Sequence, residues 1–125
     1  MNLIEHNDMH FMCVTLNGKK TRLLIDTGAS KSLLDISQAE KFGFNYAILS
    51  RNQYVGIGGA IDIYVVYDYK IQERHISFLG ADLEEVTHYF RISDMDIVGI
   101  IGSDFLESYN TRIDFVNNKL YYNGN

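Results

Sequence analysis

"LLIDTGASKSLLD", residues 23–35, is the stretch that decides the fold. Its apolar, β-prone positions run into Asp26, a glycine and a cluster of small polar residues, so it reads as a strand that stops at a turn. An aspartate at such an exit is presented to solvent, and a glycine two residues later lets other backbone come close. Just upstream, "HFMCVTLNGKKTRLLIDTG" (residues 10–28) alternates around Asn17-Gly18. An Asn-Gly pair between two β-prone runs is the strongest short-range hairpin signal. The first hairpin therefore delivers Asp26 at the exit of its second strand.

Working outward, "DISQAEKFGF" (residues 35–44) predicts a short helix. Asp35 or Ser37 caps its start, Gly43 closes it, and Ala39 and Phe42 share one face. "NQYVGIGGAIDIYVVYDYKI" (residues 52–71) predicts two β arms around a glycine-rich centre at Gly56, Gly58 and Gly59, a long mobile hairpin. "RHISFLGADL" reads as one further strand, and residues 84–96 mix helix and loop signals. "IVGIIGSDFLESY" gives a buried strand ending at Gly102, then a helical turn started by Ser103. "TRIDFVNNKLYYN" closes the chain as a hairpin turning at Asn117-Asn118. Proline is absent, and Tyr, Phe, Ile and Val recur in short bursts, so the fold class is all-β with one or two short helices.

The 125 residues are 46 % hydrophobic, enough for one core, and no linker or repeat divides them, so residues 1–125 form a single domain. Net charge is −5 and no basic run exceeds Lys19-Lys20, which leaves no electrostatic footprint for nucleic acid. The single cysteine, Cys13, excludes an internal disulfide and a cysteine-based zinc cluster. No basic segment leads an apolar one at the start, and no apolar run approaches the roughly 20 residues that span a bilayer. The expectation is a cytoplasmic chain without a membrane partner.

One carboxylate at its ordinary pKa is a poor acid and base together, whereas two held against each other cannot both ionise and share a proton. The chain holds no second Asp-Thr-Gly or Asp-Ser-Gly. The second aspartate must come from another copy, and a two-fold homodimer sets Asp26 opposite Asp26.

Three segments make the sequence resemble the retropepsin-like aspartic proteases, the half-size, homodimeric relatives of pepsin. "LLIDTGAS" is similar to their catalytic loop, "YVGIGGA" to their flap, and "IIGSDFL", about 75 residues after the first, to their second glycine element with its short helix. The likeness runs from about residue 10 to residue 122. It implies a pepsin-like half barrel of the closed, barrel-like acid protease kind. It also implies an aspartic endopeptidase that needs no metal or other cofactor and acts on an extended polypeptide substrate. Asp26 would be the catalytic carboxylate, Thr27 would bond the partner's loop across the dimer axis, and Gly28 would let loops and substrate approach. Ala29 matches the viral type of loop, while Ser30 departs from the acidic residue that many viral members carry. Gly56, Ile57, Gly58 and Gly59 would form the flap over substrate. Gly102 would pack beside the catalytic loop, and Asp104 would anchor the following helix. The C-terminal hairpin, in place of a single terminal strand, makes the chain resemble a cellular or phage-borne member more than a viral maturation enzyme.

Plainer assignments compete at each position. Asp26 next to Gly is also ordinary turn chemistry, and a catalytically silent module that keeps the fold for dimerisation or peptide binding is the alternative function. "GIGGAI" fails the dinucleotide spacing and leads into a strand, not a helix. Glu5, His6, Asp8 and His10 suggest a metal site, but a solvated, frayed terminus accounts for them. Cys13 suits a small buried thiol, His75 and His88 have no partner at a nucleophile–base spacing, and Tyr64, Tyr67 and Tyr69 fit either a groove or cross-strand packing.

Overall fold

The computed structural model describes residues 1–54, 60–75, 77–84 and 97–122. Its elements are β1 (Leu3–His6), β2 (Met9–Leu16), β3 (Lys19–Ile25), β4 (Leu33–Asp35), α1 (Ala39–Phe42), β5 (Asn45–Tyr54), β6 (Ala60–Tyr67), β7 (Lys70–Ile71), β8 (Arg74–His75), β9 (Phe78–Ala81), β10 (Ile97–Ile101), α2 (Ser103–Ser108), β11 (Arg112–Asp114) and β12 (Lys119–Tyr121). Eight strands form one sheet in the order β1-β2-β3-β10-β4-β9-β6-β5, and two small hairpins, β7-β8 and β11-β12, stand apart.

The first hairpin forms where the Asn-Gly pair predicts it. Asn17 and Gly18 both take positive φ, 51° and 76°, the geometry of a two-residue turn whose twist matches the flanking strands. β2 and β3 then pair from Leu16↔Lys19 to His10↔Ile25, which leaves Asp26 just past the last rung. Next to β3, the late strand β10 inserts in parallel, Ile101 beside Ile25, and pairs on its other side with β4 in antiparallel. β4 runs parallel to β9. The order in space thus crosses the order in sequence: the strand before Asp26 and the strand before Gly102 end side by side.

One face of the sheet carries the main core. Met12, Leu23, Leu34, Val98 and Ile101 meet Phe42 of α1 and Phe105 of α2 there, all of them fully buried. Phe78 and Phe105 stack at 6.1 Å between centroids. A smaller cluster of Ile63, Ala81 and Leu83 packs with the half-buried Leu33, Ile61 and Leu79.

Several expectations change in detail. The N-terminus is not frayed. Residues Leu3–His6 pair with β2, and the Met1 ammonium and the Leu3 N–H donate to the carbonyls of Leu120 and Asn118, so burial of Leu3 and pairing on two sides outweigh terminal entropy. The half barrel holds, but its main sheet is open, with β1 and β5 as edges among the described residues. The first arm of the central hairpin starts earlier, at Asn45, and the second ends at Tyr67, where Asp68 takes positive φ and opens a separate hairpin. Residues 74–83 split into β8 and β9, which belong to different sheets. The last hairpin turns through Phe115–Asn118 rather than two residues, because Asp114 accepts from the N–H groups of Val116 and Asn117 and from the Asn117 amide. Cys13 is half-buried on the face away from the main core. The glycines and Ile57 of residues 56–59, His88 and most of residues 84–96 lie outside the described residues.

Candidate active site

Asp26 belongs to neither strand nor helix, and that sets its chemistry. Its backbone N–H still donates to Ile101 O at 2.9 Å, so β10 fixes where the strand ends. Beyond it the chain turns: Ala29 N–H donates to Asp26 O at 3.1 Å, and Gly28 N–H donates to Asp26 Oδ1 at 3.0 Å. A Cβ on Gly28 would stand 3.3 Å from that same oxygen, a crowded contact for the carboxylate. Asp26, Thr27, Gly28 and Ser30 are exposed and Ala29 is half-buried. Among the described residues, the carboxylate is therefore oriented by one backbone donor and is otherwise exposed.

The loop is held from below by residues far along the chain. Ser103 N–H donates to Ala29 O at 2.7 Å. A Cβ on Gly102 would lie 2.6 Å from that carbonyl and 2.9 Å from the Lys31 backbone, so no side chain fits at position 102. Gly99 is tighter still, with Leu33 O 2.2 Å from a would-be Cβ. Gly102 thus packs against the loop that carries Asp26, and both lie at one end of the sheet.

Asp104 turns its carboxylate toward the loop. It accepts from Ser32 N–H at 3.0 Å, Ser32 Oγ–H at 2.7 Å and Phe105 N–H at 2.8 Å. Ser32 Oγ in turn accepts from Gly102 N–H at 2.9 Å. A carboxylate in the first turn of α2 also suits the positive end of the helix, which starts after Gly102 with no side-chain cap; Ser103 is its first residue rather than its cap. Sequence reasoning passed over Ser32, which is fully buried and ties the Asp26 loop to the Gly102 turn. Its only local signal was a small hydroxyl in a run of small residues.

Asp35 caps the turn after β4, as anticipated, but does far more. At 1 % exposure it accepts from Ser37 N–H and Oγ–H, from the Gln38 amide and from the buried Leu83 N–H. The Gln38 amide also donates to Ile97 O at 3.0 Å, which ties this corner to β10.

Elsewhere the earlier candidates disperse. His10 and Glu5 are cross-strand partners, 3.5 Å between Nε2 and Oε2, with the Phe115 ring edge-on to the imidazole at 4.8 Å. Among the described residues no three His, Cys, Asp or Glu side chains stand together to hold a metal ion. His75 is engaged through its backbone, both groups of which bond the Tyr109 hydroxyl. Tyr64 packs edge-on against Tyr46 at 5.4 Å. Tyr69 donates to Phe42 O, and its burial pushes the phenol up to about 12. Among the described residues no helix is long and apolar enough to cross a membrane.

Comparison with known proteins agrees with this geometry. A family model described as aspartyl protease matches residues 12–105, the span from β2 to the first turn of α2. The UBA domain-containing protein Mud1 of Schizosaccharomyces pombe is 30 % identical over 118 residues, which is 93 % of this chain and 33 % of Mud1, so the chain spans about a third of that relative. Among solved structures, the retroviral protease-like domain of Ddi1 from Leishmania major matches with a TM-score of 0.58 at 22 % identity, covering 94 % of this chain and 90 % of that domain. A retropepsin-like aspartic protease from Rickettsia conorii matches with a TM-score of 0.54 at 19 % identity, covering 90 % and 82 % of the two chains. EIAV protease, solved with the inhibitor HBY-793, gives 0.54 at 21 % identity, covering 90 % and 100 %. With the loop of Asp26 seated on the turn of Gly102 in an all-β half barrel, the chain belongs to the aspartyl protease family, and its fold is similar to that of retropepsin-like members.

Proposed function

We propose that this chain is an aspartic endopeptidase that hydrolyses peptide bonds of extended polypeptides as a homodimer, one Asp26 coming from each copy. The observation that carries the proposal is the state of Asp26: an exposed carboxylate, oriented among the described residues by the Gly28 N–H, on a loop clamped by Ser103 and Gly102. Rigid placement with an open coordination sphere is what a group that handles protons needs.

In the dimer the two carboxylates share one proton, because two negative charges in contact repel. The ionised member takes a proton from water as the water oxygen attacks the scissile carbonyl. The protonated member donates to that carbonyl oxygen, and the tetrahedral carbon then expels the amine, which leaves with a proton returned by the dyad. Thr27 bonds the partner's loop across the axis, Ala29 and Ser30 border the bound backbone, and Gly56, Ile57, Gly58 and Gly59 close over it. Gly102 and Asp104 position the loop and touch no substrate.

Cleavage of a diverse peptide library, followed by mass spectrometry from acid to neutral pH, tests this for the native chain and Asp26→Asn together. The expected result is a bell-shaped rate profile on the acidic side, absent in the variant. A folded dimer that cuts nothing, or cuts equally well as Asp26→Asn, overturns the proposal and leaves the silent binding module.

A further inference from the structure

The outer edge of β5, unpaired among the described residues, has the chemistry of a strand acceptor. β5 pairs with β6 alone among the described residues, so its other side offers main-chain N–H and C=O groups. Edges exposed in this way are usually blunted by lysine, proline or a bulge. From Asn45 to Ser50 there is no charged residue and no proline. The ladder stays regular from Asn45 to Ile48 and shifts register beyond it, between Ile48 and Ser50 and again between Ser50 and Gln53. Around this edge Tyr46, Ile48, Leu49 and Tyr67 are 44 %, 41 %, 59 % and 46 % exposed, four of the large apolar side chains that the protein leaves in water.

A continuous apolar row leads to it. Leu24, two residues before Asp26, stands opposite Ile100, which stands opposite Leu33, then Leu79, then Val65, then Ala47 on β5. Directly opposed residues share a face, so these six lie on the face away from the main core. The first five are half-buried and Ala47 is exposed. Five inter-strand steps amount to at most roughly 24 Å, a span that about seven extended residues cover.

We propose that the outer edge of β5, from Asn45 to Ile48, takes an added strand from an extended, apolar polypeptide, at a docking surface separate from Asp26. Unpaired main chain selects an extended strand over a helix or a lipid, and the row from Leu24 leads from the Asp26 strand to the edge. A second copy fits less well. Pairing β5 with β5 in a chain proposed to pair about Asp26 as well gives each protomer two self-complementary faces, and such a chain grows past a dimer, into a tetramer or a filament.

The test does not depend on cleavage. Binding of a fluorescein-labelled decapeptide of alternating valine and threonine, with a lysine at each end, is followed by fluorescence anisotropy in Asp26→Asn. Its twin, N-methylated at alternate residues, keeps the side chains and loses one hydrogen-bonding edge. The twin is expected to bind about tenfold more weakly, as is the parent peptide to the double variant Ile48→Lys/Leu49→Lys in the same background, the equivalent of one or two net hydrogen bonds. Circular dichroism checks that the double variant is folded, and Tyr67→Lys supplies a second surface change if it is not. Equal binding of the twin reduces the edge to a merely greasy patch and overturns the proposal. So does undiminished binding by the lysine variants, or growth of the protein beyond a dimer without peptide, which would make a second copy the occupant.

Discussion

Asp26 and Asp35 stand nine positions apart in one stretch of sequence and meet opposite fates. Asp35 is 1 % exposed and engages two side chains and two backbone N–H groups. Asp26 is exposed and, among the described residues, receives one backbone N–H. A buried carboxylate is tolerable only when donors replace its lost hydration, and once saturated it has no lone pair left for a reactant. The difference teaches where the proposed chemistry would reside: in the carboxylate that the fold orients but does not satisfy. Asp104 sides with Asp35, since it spends its oxygens on Ser32 and Phe105.

That contrast can be broken by separating activity from stability. Asp26→Asn should lower cleavage by at least about a thousandfold while leaving the urea midpoint nearly unchanged, because an exposed group with one neutral donor contributes little to folding. Asp35→Ala should do the reverse. Stranding the Leu83 N–H and the Gln38 amide is expected to cost about 3 kcal/mol in equilibrium unfolding, with residual cleavage proportional to the folded fraction. If Asp35→Ala abolished cleavage at full stability, the division of labour would fail.

A third substitution sharpens the comparison from beneath the loop. Gly102→Ala forces a methyl group against Ala29 O and the Lys31 backbone, and should cost about 2 kcal/mol. Because the Asp26 loop must shift to admit it, kcat should fall more than the loss of folded protein explains. The smallest effect is expected at high pH. Burial raises the phenols of Tyr69 and Tyr122 to about 12. A folded pKa above the unfolded value means that the native state keeps its proton longer, so their stabilisation is complete below about pH 10 and is lost as pH climbs toward 12. Tyr69→Phe and Tyr122→Phe should each flatten that alkaline fall, measured as thermal midpoint against pH.

Features encoded by neighbours in sequence were legible beforehand. The Asn17-Gly18 turn, the exit at Asp26, the cap at Asp35 and the left-handed Gly43 closing α1 all follow from local backbone preference. What escaped depends on distant partners. β1 is only four residues, two apolar and two polar, too short a signal to read as a strand, and it is ordered because β2 and the turn into β12 pair with it from either side. Ser32 looks like loop filler until β10 brings Gly102 and Asp104 within reach. The insertion of β10 between β3 and β4 leaves no mark in either neighbour's composition, although it is what builds the candidate site.

The pairing of Met1 with Leu120 carries a mechanical consequence. Residues 1–3 and 118–120 are stitched together, so tension applied through both segments would first unzip the Met1–Leu120 and Asn2–Lys119 rungs. On the N-terminal side, β1 would have to peel from β2, and β2 from β3, before the load reached the strand that ends at Asp26; on the other side the β11-β12 hairpin and α2 stand before Gly102. Set within a longer polypeptide, the chain would carry the Asp26 loop behind a sacrificial zipper, with two strands before it on one side and a hairpin and a short helix after it on the other.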